Sequence, residues 1–194
     1  VARVVLIGMG TSMHAALVGR TYFERIAGIP SEVDNSSEFR YRDALIGPDT
    51  LVISVAQSGE TVDTLEAMAD AKRRNAPQLT ICNTPGAQTT RVADGFVLTR
   101  CGPEVAVAST KTLTASITAL YMLACRLAIV RGAIDAAKTL GEYTGARRDL
   151  RPVTVVLHLR RVRLGVQQHL AIRRNDGQAP AGRRRQSANI FARQ

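Results

Sequence analysis

Apolar residues follow two periods along the first 130 positions, and the two periods alternate. Short, mainly apolar runs at 4–7, 51–55, 79–82 and 96–98 are bounded by glycine and polar residues, the pattern of strands covered on both faces. Glu32-Val33-Asp34, after Pro30, reads as one more short strand. Between these runs the apolar positions recur at helical spacing. Ala16, Leu17, Tyr22, Phe23 and Ile26 mark a helix ending near Gly28, another runs from Val62 to about Asn75, and a long apolar helix spans 113–130. Ser36 to Arg42 reads as a short capped helix, and Asn83-Thr84-Pro85-Gly86 as a turn. Strands alternating with helices predict an α/β fold, with five parallel strands and helices on both faces. Sheets of that kind take ligands outside the carboxyl ends of their strands.

The pattern fades near residue 145. Residues 1–145 are read as one folded domain and 146–194 as an Arg-rich tail, in which 153–159 has strand character and 177–194 reads as disordered. Charge sharpens this boundary. Residues 1–145 carry 14 basic and 14 acidic side chains, whereas 146–194 carry 12 arginines, no lysine and two acids. The net charge of +10 therefore belongs to the tail, which lacks the interleaved aromatics of a nucleic-acid binder. A nucleic-acid partner is not expected. The tail is either a basic arm or the out-of-frame or artificially joined end of a truncated coding sequence, and its Lys-free composition fits the second better.

No run is long and apolar enough to cross a membrane, and residues 1–9 show no cleavage site of a signal peptide. Cys82, Cys101 and Cys125 are widely spaced, which fits free thiols in a reducing cytoplasm better than disulfides or a zinc site. No metal and no cofactor are expected.

Candidate chemistry concentrates where strands hand over to helices. Thr11 and Ser12 follow the first strand, Gln57, Ser58 and Thr61 follow the third, and Val107-Ala108-Ser109-Thr110 precedes the long helix. Helix starts leave backbone N–H groups unpartnered and favour negative charge, and hydroxyls add donors, so each place can hold an anion. Ser and Thr are also the preferred N-caps, and for any one site alone that role is the simpler one. Ser58-Gly59-Glu60-Thr61, with a glycine between two hydroxyls, points further toward a phosphate. Gly8-x-Gly10 followed by Asp34 resembles the start of a dinucleotide fingerprint, but its third position is Met13 rather than Gly or Ala. A single sugar phosphate fits the hydroxyl-rich turns better. His14 and Lys111 lie near helix starts and suit either a ligand or a packing or solvent role, and Glu104, in the loop before Ser109, suits either an acid–base role or solvent exposure.

Taken together, Met9-Gly10-Thr11-Ser12, Ala27-Gly28-Ile29-Pro30, Ser37-Glu38-Phe39-Arg40-Tyr41-Arg42, Gln57-Ser58-Gly59-Glu60-Thr61, Ile81-Cys82-Asn83 and Val107-Ala108-Ser109-Thr110-Lys111 resemble the sugar isomerase (SIS) domain family. More narrowly, they are similar to the first of two SIS domains in the glutamine–fructose-6-phosphate aminotransferases, over about residues 3–140. The resemblance implies a three-layer αβα sandwich with a five-stranded parallel, flavodoxin-like sheet. It also implies binding of fructose 6-phosphate or a related sugar phosphate, with amino-sugar synthesis as the wider activity. By residue, it places phosphate and sugar contacts on Thr11, Ser12, Gln57, Ser58 and Thr61, and contacts to the sugar end on Val107 and Ser109.

The family pattern has Ser where this chain has Ala56, which removes one neutral hydrogen bond worth about 0.5–1.5 kcal/mol. In the family, a glutaminase domain and a second SIS domain supply the nucleophile and the acid–base groups, and no such motifs occur here. No catalytic residue is therefore assigned, and the chain is expected to be a substrate-binding part of the enzyme, incompetent alone. The alternatives are a two-SIS ketosamine-6-phosphate deaminase or isomerase without a glutaminase domain, and a non-catalytic sugar-phosphate sensor. SIS domains pair, so a homodimer or a paired SIS domain is expected.

Overall fold

The computed structural model describes residues 1–134 and the backbone of 156–159. Five parallel strands, β1 (Arg3–Gly8), β2 (Ser31–Asn35), β3 (Thr50–Val55), β4 (Gln78–Cys82) and β5 (Gly95–Leu98), lie in the order β2-β1-β3-β4-β5. Every residue of β3 and β4 is buried, which is why those strands read as mainly apolar runs without alternation. β2 lies at the edge, and its SEVDN sequence is correspondingly polar. A sixth strand, β6 (Val156–Leu159), pairs antiparallel with β5 from within the Arg-rich segment. The boundary at 145 and the rest of that segment lie outside the described residues.

Side chains of successive strand residues point to opposite faces, and this divides the core in two. Val4, Leu6, Ile53, Val55, Ile81 and Val97 pack with Phe23 and Leu120 under helices α1 (Thr11–Arg25) and α5 (Lys111–Val130). Val5, Ile7 and Val52 pack with Phe39, Ala67, Met68 and Ala71 under α2 (Ser36–Phe39), α3 (Val62–Arg73) and the short α4 (Gln88–Val92). The result is a three-layer αβα sandwich, as expected.

Helix α5 has the length and composition to cross a bilayer, which corrects the statement that no run does. In this fold it is a covering helix. Ala119, Leu120, Ala124 and Ala128 are buried in the core shared with α1. Gly19 of α1 meets Leu120 so closely that a Cβ there would lie 2.8 Å from a Leu120 methyl. Tyr22 and Tyr121 pack edge-to-face between the same two helices, with centroids 5.2 Å apart.

Candidate functional site

The chain leaves β1 toward β2 on one side and, after crossing over, enters β3 on the other, so the strand order reverses between β1 and β3. That seam is the switch point at which open parallel sheets form a ligand crevice. Ile7 of β1 stands opposite Ser54 of β3, so the turns that follow the two strands are neighbours. Thr11 and Ser12 lie on one turn, and Gln57, Ser58 and Thr61 on the other.

The helix starts differ in how they are capped. Asn35 Oδ1 caps α2 by accepting the Ser37 N–H at 3.1 Å. Glu60 Oε1 accepts the Gln88 N–H at the start of α4 at 2.8 Å. Glu104 does the same for α5, as described below. The N-cap residues of α1, α3, α4 and α5 (Gly10, Thr61, Ala87 and Thr110) make no side-chain cap bond, and among the described residues only α4 and α5 of these four receive one from a carboxylate elsewhere. Helices α1 and α3 flank the switch point. Half-exposed Thr11, Ser12 and Ser58 and exposed Thr61 surround their N-termini.

Both turns depend on glycine. Gly10 adopts φ +50°, which lets the chain pass from β1 into α1 while the Ser12 and Met13 amides donate to the Met9 carbonyl. Gly59 adopts φ +70°, and a Cβ there would lie 2.6 Å from Ala87 Cβ and Thr89 Oγ1 and 2.7 Å from Cys82 Sγ. Its carbonyl accepts the Thr89 N–H at 3.1 Å. Burial raises the Cys82 thiol above its ordinary value, so it remains a neutral packing group under the turn. The Gln57 carbonyl accepts the Asn83 N–H at 3.1 Å, tying the turn to the end of β4. Ala56 is buried and continues the β3–β4 ladder by donating its N–H to Ile81 O at 2.9 Å.

Asn83 carries the connection to the third segment. Buried at the end of β4, it donates Nδ2–H to Gly102 O at 2.7 Å and accepts at Oδ1 from Thr99 Oγ1 at 3.0 Å and Cys101 N at 2.9 Å. Two residues beyond Gly102, the Glu104 carboxylate accepts four hydrogen bonds of 2.9–3.1 Å, from the backbone N–H and the hydroxyl of both Thr110 and Thr112. The Thr112 N–H, then its hydroxyl, and then the same pair on Thr110 hold the acid at about 2, against an ordinary 4.5. Glu104 is thus an ionised clasp on the α5 N-terminus, which removes it as a proton donor near neutral pH. Ser109 is half-exposed beside this clasp, and Val107 is fully exposed in the loop between the anchors.

The remaining candidates resolve simply. Asp34, where a dinucleotide fingerprint places a ribose contact, is held by Arg42 Nε at 2.7 Å. His14 is exposed on the first turn of α1, and Lys111 is exposed at the first residue of α5. Among the described residues, no group of three or more His, Cys, Asp or Glu side chains is placed to hold a metal. Reading the sequence alone missed α4, the Asn83 hub and the Glu60 and Glu104 caps; the Asn83 and Glu60 bonds join residues 16 to 28 positions apart.

A model of the SIS domain family matches residues 1–126. A glutamine–fructose-6-phosphate aminotransferase (isomerizing) of Methanosarcina acetivorans is 47% identical over 130 residues, covering 67% of this chain and 21% of its own length. The enzyme of the same name from Symbiobacterium thermophilum is 45% identical over 143 residues, covering 74% of this chain and 24% of its own length. In structure, the C-terminal domain of glucosamine-fructose-6-phosphate aminotransferase from Francisella tularensis superimposes with a TM-score of 0.70 at 32% identity, over 74% of this chain and 41% of that one. The chain thus spans about a fifth to a quarter of the length of the curated relatives it matches.

Proposed function

Because the chain belongs to the SIS domain family, we propose that the seam between β1 and β3 takes the phosphate of a sugar phosphate, as part of a glutamine–fructose-6-phosphate aminotransferase. The observation that carries this reading is the pair of helix starts, α1 and α3, that lack side-chain caps at the switch point while α2, α4 and α5 are capped. In it, Thr11, Ser12, Gln57, Ser58 and Thr61 hold the phosphate end, and the loop with Val107 and Ser109 meets the sugar. Fructose 6-phosphate is the substrate in view. The site offers amides and hydroxyls and one firmly ionised carboxylate, so this chain binds the sugar phosphate and leaves ring opening and ammonia delivery to other parts of the enzyme. Hydroxyl and amide donors ask for no metal and no cofactor. The three free thiols support a cytoplasmic setting. Pairing of SIS domains, in a homodimer or within one enzyme, completes the proposal.

The test is ligand-dependent stability of the whole chain. A ligand that binds only the folded state raises Tm, by roughly 5–10 °C at about 100 times its Kd for a chain of this size. Fructose 6-phosphate or glucosamine 6-phosphate should give such a rise. The double variant Ser58→Ala/Thr61→Ala should keep its unliganded Tm and lose the rise, and neither form should show aminotransferase turnover alone. A wild-type chain indifferent to both sugars at millimolar concentration sinks the proposal.

A further inference from the structure

The segment between β5 and α5 is anchored at both ends, by Asn83 and by Glu104. Asn83 fixes its start, through Cys101 N and Gly102 O, to the carboxyl end of β4. Glu104 fixes its far end by reaching over five residues to Thr110 and Thr112. Between the anchors, residues 105–108 are exposed and Ser109 is half-exposed. A short loop held at both ends is ordered before a ligand arrives, and ordering it on binding costs affinity.

We propose that Glu104 is a positioning residue for the sugar end of the site, its clasp on Thr110 and Thr112 holding the loop with Val107 and Ser109 ready for the sugar. The proposal rests on the sugar-phosphate reading. It adds that the loop's share of the affinity, the share for the carbohydrate, depends on the clasp, whereas the share of the α1–α3 seam, for phosphate, does not. Among the described residues the hydrogen bonds of Glu104 go to Thr110 and Thr112, so it acts through the loop. The Thr112 hydroxyl, buried and 2.9 Å from Glu104 Oε2, is the other half of the clasp.

Calorimetric titration of the full chain with inorganic phosphate and with fructose 6-phosphate tests it. Glu104→Gln and Thr112→Val should each weaken fructose 6-phosphate by about tenfold and leave inorganic phosphate within about twofold. Thr112→Ser, which keeps the hydroxyl, should restore wild-type affinity for the sugar phosphate. Amide exchange at Thr110 and Thr112 reports separately whether the clasp has opened. If the exchange shows an open clasp while fructose 6-phosphate binds as before, the positioning role is overturned. Equal weakening of both ligands overturns it too, because it makes Glu104 a general stabiliser. A wild-type chain that binds neither ligand refutes the sugar-phosphate reading itself, and the positioning role falls with it.

Discussion

Gly59 shows how one residue type fixes the geometry of the phosphate turn. Its left-handed φ costs any other residue about 1–2 kcal/mol, and the crowding around its missing Cβ adds about 1–3 kcal/mol of overpacking. Gly59→Ala should therefore lower stability by roughly 2–5 kcal/mol in denaturant titration, and phosphate binding should weaken even in the fraction that folds. Wild-type stability in that variant would mean that the turn is not clamped on Cys82, Ala87 and Thr89. The hydroxyls around this glycine were legible in the sequence because Ser and Thr at a strand–helix junction have few uses. Their choice between capping and ligand was not legible. It depended on which carboxylates and amides reach the other helix starts, and Glu60 reaches Gln88 across 28 positions.

At the scale of elements, the long helices were legible because burial of one side imposes a 3.6 period, and the central strands because burial on both faces makes short apolar runs. The short α4 was not: five residues, QTTRV, contain no helical period, and its start is stabilised by the distant Glu60. The start of α5 is a similar case. The apolar pattern begins at Leu113, but the helix begins at Lys111 because Glu104 satisfies the Thr110 and Thr112 amides. This clasp has a pH signature. The Glu104 acid is lower in the folded chain than its ordinary 4.5, so its stabilisation is fully present above that value and is lost as pH falls toward about 2. Carboxyl NMR should show Glu104 still ionised at about pH 3.5, where unperturbed glutamates are mostly protonated. Protection of the Thr110 and Thr112 amides, corrected for intrinsic exchange, should persist to that pH and then fall. A Glu104 midpoint near its ordinary value would show that the clasp does not form in solution.

For the whole molecule, strand order decides what each face can do. The β2-β1-β3-β4-β5 order puts the reversal, and with it the proposed site, between β1 and β3, while β6 adds to the far edge beside β5. The two helical layers differ in what they leave outside. On the α1–α5 layer, Leu17, Val18 and Met122 remain more than a third exposed, above a core of small residues that lets the two helices approach closely. Apolar side chains left exposed on a helical layer favour association. The chain should therefore self-associate in light scattering across the micromolar range. Met122→Lys should shift it toward monomer without altering the unliganded Tm, because a side chain already partly in water loses little packing. If the wild-type chain is a monomer throughout that range, this layer does not pair two copies. If Met122→Lys leaves the association intact, another surface mediates it, and the exposed Tyr41, Leu45 and Val62 on the opposite side of the sheet become the place to test.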